Sequence, residues 1–193
     1  MRLALAAAVT LFALSANRAS AEMLLNEPVY NPDTKSYFEL YAPDEKKVRE
    51  HEDIYGLSWR VASKIAVKRV FHGVKGRLAV VKTRAVSEFL KETFKPDIEA
   101  WIGLRYWCKF HRLQWVDGEV WKPGEFSLWG KIWDQAAINP NQKDAGEAHC
   151  TSESPTYHLG VHYWRREWGF YWNANGYDKH FNLMFVEYPT GKP

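Results

Sequence analysis

The stretch Trp101–Gly118, WIGLRYWCKFHRLQWVDG, limits what this chain can fold into more than any other. Trp101, Ile102 and Leu104 are bulky and favour strands, and Gly103 among them marks a place where another segment approaches the backbone closely. A second strand is predicted over Arg112–Val116. It ends on Asp117-Gly118, a strong turn signal, because glycine tolerates positive φ and aspartate bonds the backbone two residues on.

The flanking sequence supplies the other elements. Asn31-Pro32-Asp33 reads as the turn of an N-terminal hairpin within Pro28–Tyr41. Ala42–Tyr55 is charged and reads as loop. Trp59, Ala62, Ile65, Ala66 and Val70 recur near the helical period behind Ser58, a good N-cap. Gly73 and Gly76 end that helix, and Leu78–Val81 reads as extended chain. A second helix is predicted from about Arg84 to Thr93, with Val86, Phe89 and Leu90 inward, ending at Lys95-Pro96-Asp97. Ile98–Leu104 is the strand that carries Gly103. Glu119–Ile138 is irregular and aromatic, and Asn139–Pro155 is a polar loop of the length usually kept for function. Strands are predicted over Tyr157–Trp164, Gly169–Trp172 and Phe181–Tyr188, with a turn at Arg165–Trp168 and a loop at Asn173–Lys179. The order predicts an α+β fold with two helices and a mostly antiparallel, twisted sheet.

Compartment follows from the N-terminus. Arg2, the apolar run Leu3–Ala16 and Ala19-Ser20-Ala21 have the layout of a cleaved signal peptide over residues 1–21. The run is shorter than the ~20 residues needed to span a bilayer. Residues 22–193 then form one domain in a secreted or periplasmic protein. Losing Arg2 and Arg18 lowers the formal charge from +3 to +1, which gives no pull toward nucleic acid or an anionic membrane. Two cysteines in an exported chain, Cys108 and Cys150, are expected to pair, the other reading being two half-buried thiols. Aromatic residues make up 16% of the chain, enough to fill a core or to form a stacking surface for sugars.

Five short motifs in order resemble the C-type lectin-like domain. They are Asn31-Pro32-Asp33-Thr34 with Tyr37-Phe38, Ser58-Trp59, Gly76–Val81, Trp101–Leu104 with Trp115–Gly118, and Phe185-Val186-Glu187-Tyr188. The resemblance spans nearly the whole chain after residue 21. It implies a long polar and aromatic loop region where sugar hydroxyls, and in many members calcium, meet side-chain oxygens. Carried over residue by residue, the carbohydrate-binding positions are Asn139 and Asn141 of Asn139-Pro140-Asn141, Glu147 (with Glu153 as a second choice), and Asn173 together with Trp172 before it. These four, Asn139, Asn141, Glu147 and Asn173, are also the implied Ca2+ ligands. The other reading of Asn139-Pro140-Asn141 is an ordinary Asn-Pro turn. Two departures weaken the calcium expectation. Asn139 stands where an acid is usual, and Ala174 stands where the Trp-Asn-Asp pattern has its carboxylate, with Asn175 or Asp178 as stand-ins. Calcium affinity falls with ligand charge, so binding is expected to be weak or lost. Cys150 lies near one of the family's usual cysteine positions, but its usual partner is absent and Cys108 is at an atypical position, which makes a Cys108–Cys150 bridge specific to this subgroup.

The implied partner is a carbohydrate or glycoconjugate. The alternatives are a protein receptor bound by the same loops, and a structural role in a surface appendage. Other constellations are weak. His158 and His162 lie about 13 Å apart on a strand, too far to share one ion. Cys108 with His111 is a poor nucleophile and base, and no catalytic motif is present, so no enzyme is expected. The run Tyr163–Trp172 reads mainly as core. Trp164, Trp168 or Tyr171 is the alternative sugar-stacking residue, beside Arg165, Arg166 and Glu167.

Overall fold

The structure, a computed structural model, describes residues 27–51, 56–130, 150, 152, 154–176 and 178–193. Asn31 starts the first hairpin. Its Oδ1 accepts from Asp33 N at 2.9 Å, the side-chain bond that makes Asn-Pro-Asp a turn. The turn joins β1 (Val29–Asn31) to β2 (Ser36–Tyr41). A short helix, α1 (Glu45–Arg49), follows where the sequence predicts loop. Asp44 caps it by accepting from Lys47 N at 2.8 Å, and Val48 is its one buried residue. One turn is too short to show a period, so a cap and a single anchor were its only sequence signs.

α2 (Trp59–Ala66) begins at Ser58, whose Oγ accepts from Val61 N. The helix stops at Ala66, so Val70 is not on its inner face. Val70 lies instead in β3 (Val70–Phe71) and is 60% exposed. β3 pairs with β4 (Val74–Lys75) across His72-Gly73, both at positive φ as a tight two-residue hairpin requires. β5 (Arg77–Leu78) leads to α3 (Arg84–Phe94), which Thr83 caps and a left-handed Lys95 ends. Val86 and Leu90 are buried, and Phe89 packs at the core's rim.

The remaining strands are β6 (Ala100–Trp107), β7 (Arg112–Trp115), β8 (His158–Tyr163), β9 (Trp172–Asn175) and β10 (Leu183–Tyr188). The main sheet runs β1-β2-β10-β6-β8-β9, with β5 on β10 and β7 on β6. Only β10 with β6 is parallel among its pairs. Gly103 sits where the chain crowds most. A Cβ there would lie 2.6 Å from the Leu78 carbonyl oxygen. The bonds that use this space are Gly103 N to Ala79 O and Val116 N to Gly103 O, each 2.8 Å. The turn after β7 is also as predicted. Gly118 has φ 94° and Asp117 Oδ1 accepts from Glu119 N at 3.0 Å.

Two apolar cores lie on the two faces of the sheet. One, beneath α3, holds Leu90, Ile102, Leu104, Trp115, Tyr163, Trp172 and Phe185. The other, beneath α2, holds Trp59, Val61, Ile65, Trp101, Met184 and Val186. Between β2 and β10 two acids are buried. Glu39 takes Arg69 and the Tyr188 hydroxyl, the latter at 2.7 Å. Glu187 takes both ends of the Arg77 guanidinium at 3.0 Å, with Ser36 Oγ and Val80 N.

Candidate ligand-binding face

β9 is the edge strand, and its four residues alternate. Trp172 and Ala174 point into the core, while Asn173 and Asn175 point to the other face and are half-buried. The sequence reading put Asn173 in a loop. Pairing with β8, His162 opposite Asn173 and Gly160 opposite Asn175, holds it in a strand instead. Trp172 cannot offer a stacking face for a sugar, because its exposure is 0%. Its ring is enclosed edge-to-face by Trp115, Phe126 and Trp129, with centroids 5.5–5.9 Å away. Its role is to anchor the strand.

Asn139, Asn141 and Glu147, with the alternative Glu153, lie outside the described residues, as does His149. The two ends of the segment that carries the first three are well defined. At Gly130, the amide donates to Trp172 O at 3.1 Å, and Trp172 N donates to Leu128 O at 2.6 Å. At Cys150, a disulfide to Cys108 ties the chain to the end of β6, with a Cα–Cα distance of 5.7 Å. The pairing expected of the two cysteines is therefore present, and Cys108 has no free thiol. Gly130 thus lies against the backbone of Trp172, next to Asn173.

β9 contributes little toward calcium. Asn173 has one amide oxygen, and Ala174, 3% exposed, has no oxygen on its side chain. Asn175 is engaged with His162, its Nδ2 2.7 Å from Nε2. Asp178 is exposed beyond Gly176. Among the described residues no group of three or more His, Cys, Asp or Glu gathers as a metal site. The described donors alone fall well short of the six to eight oxygens calcium takes.

The face carrying Asn173 continues across β8 and β6. His162 is fully buried among Trp101, Phe181 and Trp164. Its Nδ1 donates to Tyr163 O at 3.1 Å and its Nε2 accepts from Asn175. Burial pushes its pKa down to about 3, assisted by nearby Lys179. His158 lies between Trp59 and Trp107, centroids 4.9 and 5.1 Å away. Burial lowers its pKa to about 4, and Arg105 and Arg60 lower it further. The two histidines have separate partners.

The β8–β9 connection is a short 3-10 turn at Arg166–Trp168. Phe170 and Trp172 are buried, whereas Trp168 is 54% and Tyr171 44% exposed. Arg165 stacks on Trp168 at 3.9 Å and has Glu99 and Glu167 as ion partners. No sequence signal distinguished these exposed rings from their buried neighbours, because neither strand period nor helical period holds across the turn.

Neither a protein-family profile nor a curated protein sequence matches the chain. Solved structures do. The chain is similar to the C-type lectin CEL-I from Cucumaria echinata at 14% identity and a TM-score of 0.55, over 84% of this chain and 94% of that one. It is similar to the cow carbohydrate-recognition domain of CD23, solved in the presence of a GlcNAc2Man3 oligosaccharide, at 18% identity and a TM-score of 0.51, over 83% and 91%. Identities this low speak for the fold alone. The chain has the C-type lectin-like fold, as the motif order predicts.

Proposed function

We propose that this is an exported, single-domain carbohydrate-binding protein that acts by binding rather than catalysis. Residues 1–21 are removed on export, leaving a secreted or periplasmic protein. No helix among the described residues is long and apolar enough to cross a membrane. Sugar hydroxyls bind at the surface built from Asn139, Asn141, Glu147 and Asn173. The observation that carries this reading is the junction of Gly130 with Trp172, which holds the chain just before residues 131–149 against the edge strand that carries Asn173. The neighbours named as lectin domains support the same kind of partner. Calcium plays a minor part, since the buried Ala174 supplies no carboxylate. The same observation favours a second reading, calcium-independent recognition of a protein partner through these loops.

A glycan array probed with residues 22–193, in calcium and in chelator, tests the first reading. Binding is expected to survive chelation largely intact. It is expected to disappear in Asn141→Ala/Asn173→Ala while the fold persists. An array with no binding in either condition would favour the protein partner.

A further inference from the structure

We propose that Arg105 is an anion receptor, and that it takes the carboxylate of an acidic sugar on the face shared by β6, β8 and β9. The proposal deepens the carbohydrate reading and rests on it for the sugar. Arg105 is half-buried, and its Nε is buried with no hydrogen-bond partner. The guanidinium lies 4.2 Å from the Trp107 ring centroid and 5.4 Å from that of Trp59. Its cross-strand neighbours are Gln114 on β7 and Gly160 on β8. Gly160 has no side chain. Gln114 is already engaged, accepting from Trp107 Nε1 at 2.8 Å and donating to Gly118 O at 2.9 Å.

Among the described residues no carboxylate pairs with Arg105. Burial lowers its pKa with no opposing charge to offset the effect. The other partly buried arginines differ: Arg69 has Glu39, Arg77 has Glu187 and Arg165 has Glu99. Two other cations flank the residues around Arg105, with Arg60 acting on His158 and Arg112 over Phe110 at 5.2 Å. A desolvated cation is costly until an anion meets it. A carboxylate suits the planar guanidinium fork, which binds it through two parallel hydrogen bonds.

The surroundings favour a sugar acid over a free ion. Trp107 and Phe110, the latter 49% exposed, stand edge to face at 6.5 Å and form an apolar step beside the guanidinium. Such a step matches the C–H face of a pyranose ring. The register Arg105–Gly160–Asn175 crosses β6, β8 and β9 on the face that carries Asn173. Trp59 fills the space above Gly160, where a Cβ would overlap its ring.

The test is calorimetric titration of residues 22–193 with methyl glucuronide, its neutral methyl ester and inorganic sulfate. The acid is expected to bind about tenfold tighter than the ester, the scale of hydrogen bonds to a charged group. Arg105→Gln is expected to erase that difference, Arg105→Lys to keep part of it, and Arg165→Gln to keep all of it. Each variant is checked by melting temperature. Should Arg105→Gln fail to fold, the wild-type indole and imidazole NMR signals of Trp107 and His158 are expected to shift with the glucuronide and not with the ester. Equal binding of acid and ester, an acid preference that survives Arg105→Gln, or sulfate binding as tight as the glucuronide would overturn the proposal. Asn141→Ala/Asn173→Ala keeps the two readings distinguishable. If the long-loop reading alone fails, this variant binds the glucuronide as wild type does. If the Arg105 proposal alone fails, neutral sugars bind and the acid gains nothing.

Discussion

The two ends of the main sheet treat buried charge in opposite ways. At the β2–β10 end, Glu39 and Glu187 are each buried against a guanidinium and further donors. At the β6–β9 end, Arg105 is half-buried and no described carboxylate pairs with it, and burial lowers the pKa of two histidines of β8, His158 and His162. The first arrangement is closed and serves the fold. The second leaves the Arg105 Nε without a hydrogen-bond partner, the condition expected of a group that a ligand completes. The two ends share one sheet, so a general tolerance for buried charge does not explain the contrast.

The largest effect should come from breaking the closed end. Arg69→Met strands Glu39, which is 0% exposed, without its cation and is expected to cost about 3–5 kcal/mol in urea unfolding. A loss below ~1 kcal/mol would mean that the closed end is not closed by charge.

Acid should act on the open end next. The folded pKa values of His158 and His162, about 4 and about 3, lie below the usual histidine value of 6.5. Each ring therefore binds its proton more readily in the unfolded chain. Their contribution to stability is complete above pH 6.5 and is lost as pH falls toward the folded values. From pH 6.5 to pH 5 the expected loss is roughly 2 kcal/mol per ring. His162→Gln should about halve that slope, read from melting temperature against pH.

A smaller effect sharpens the view of the Arg105 surroundings. Gly160→Ala drives a Cβ into the Trp59 ring and is expected to cost about 1–3 kcal/mol. Acid-sugar binding should weaken with it, because the Trp59 ring centroid lies 5.4 Å from the Arg105 guanidinium.

Much of the fold was readable from local chemistry. Ser58 with the apolar spacing behind it gave α2, and Asp117-Gly118 gave the turn after β7, because caps and turns depend on residues a few positions apart. Val70 was misplaced because its apolar character fitted a period that the helix did not continue. Asn173 was assigned to a loop because only its pairing with His162, eleven positions earlier, makes it a strand residue. Trp172 and Trp168 are the same residue type in one aromatic run, and only tertiary packing buries one and exposes the other. Arg105 drew no notice in the sequence. Its defining property is the lack of a paired acid among its described neighbours, and a missing partner leaves no motif.

The most direct measurement is the thermal unfolding of wild type and Arg105→Met, each with and without methyl glucuronide. Arg105→Met is expected to melt no lower than wild type without ligand, since it removes a desolvated cation and strands no described carboxylate. Only wild type should be stabilised by the glucuronide, in proportion to RT ln(1 + [L]/Kd). A variant that melts well below wild type, or gains the same ligand shift, would contradict the account and make Arg105 a structural residue like Arg69.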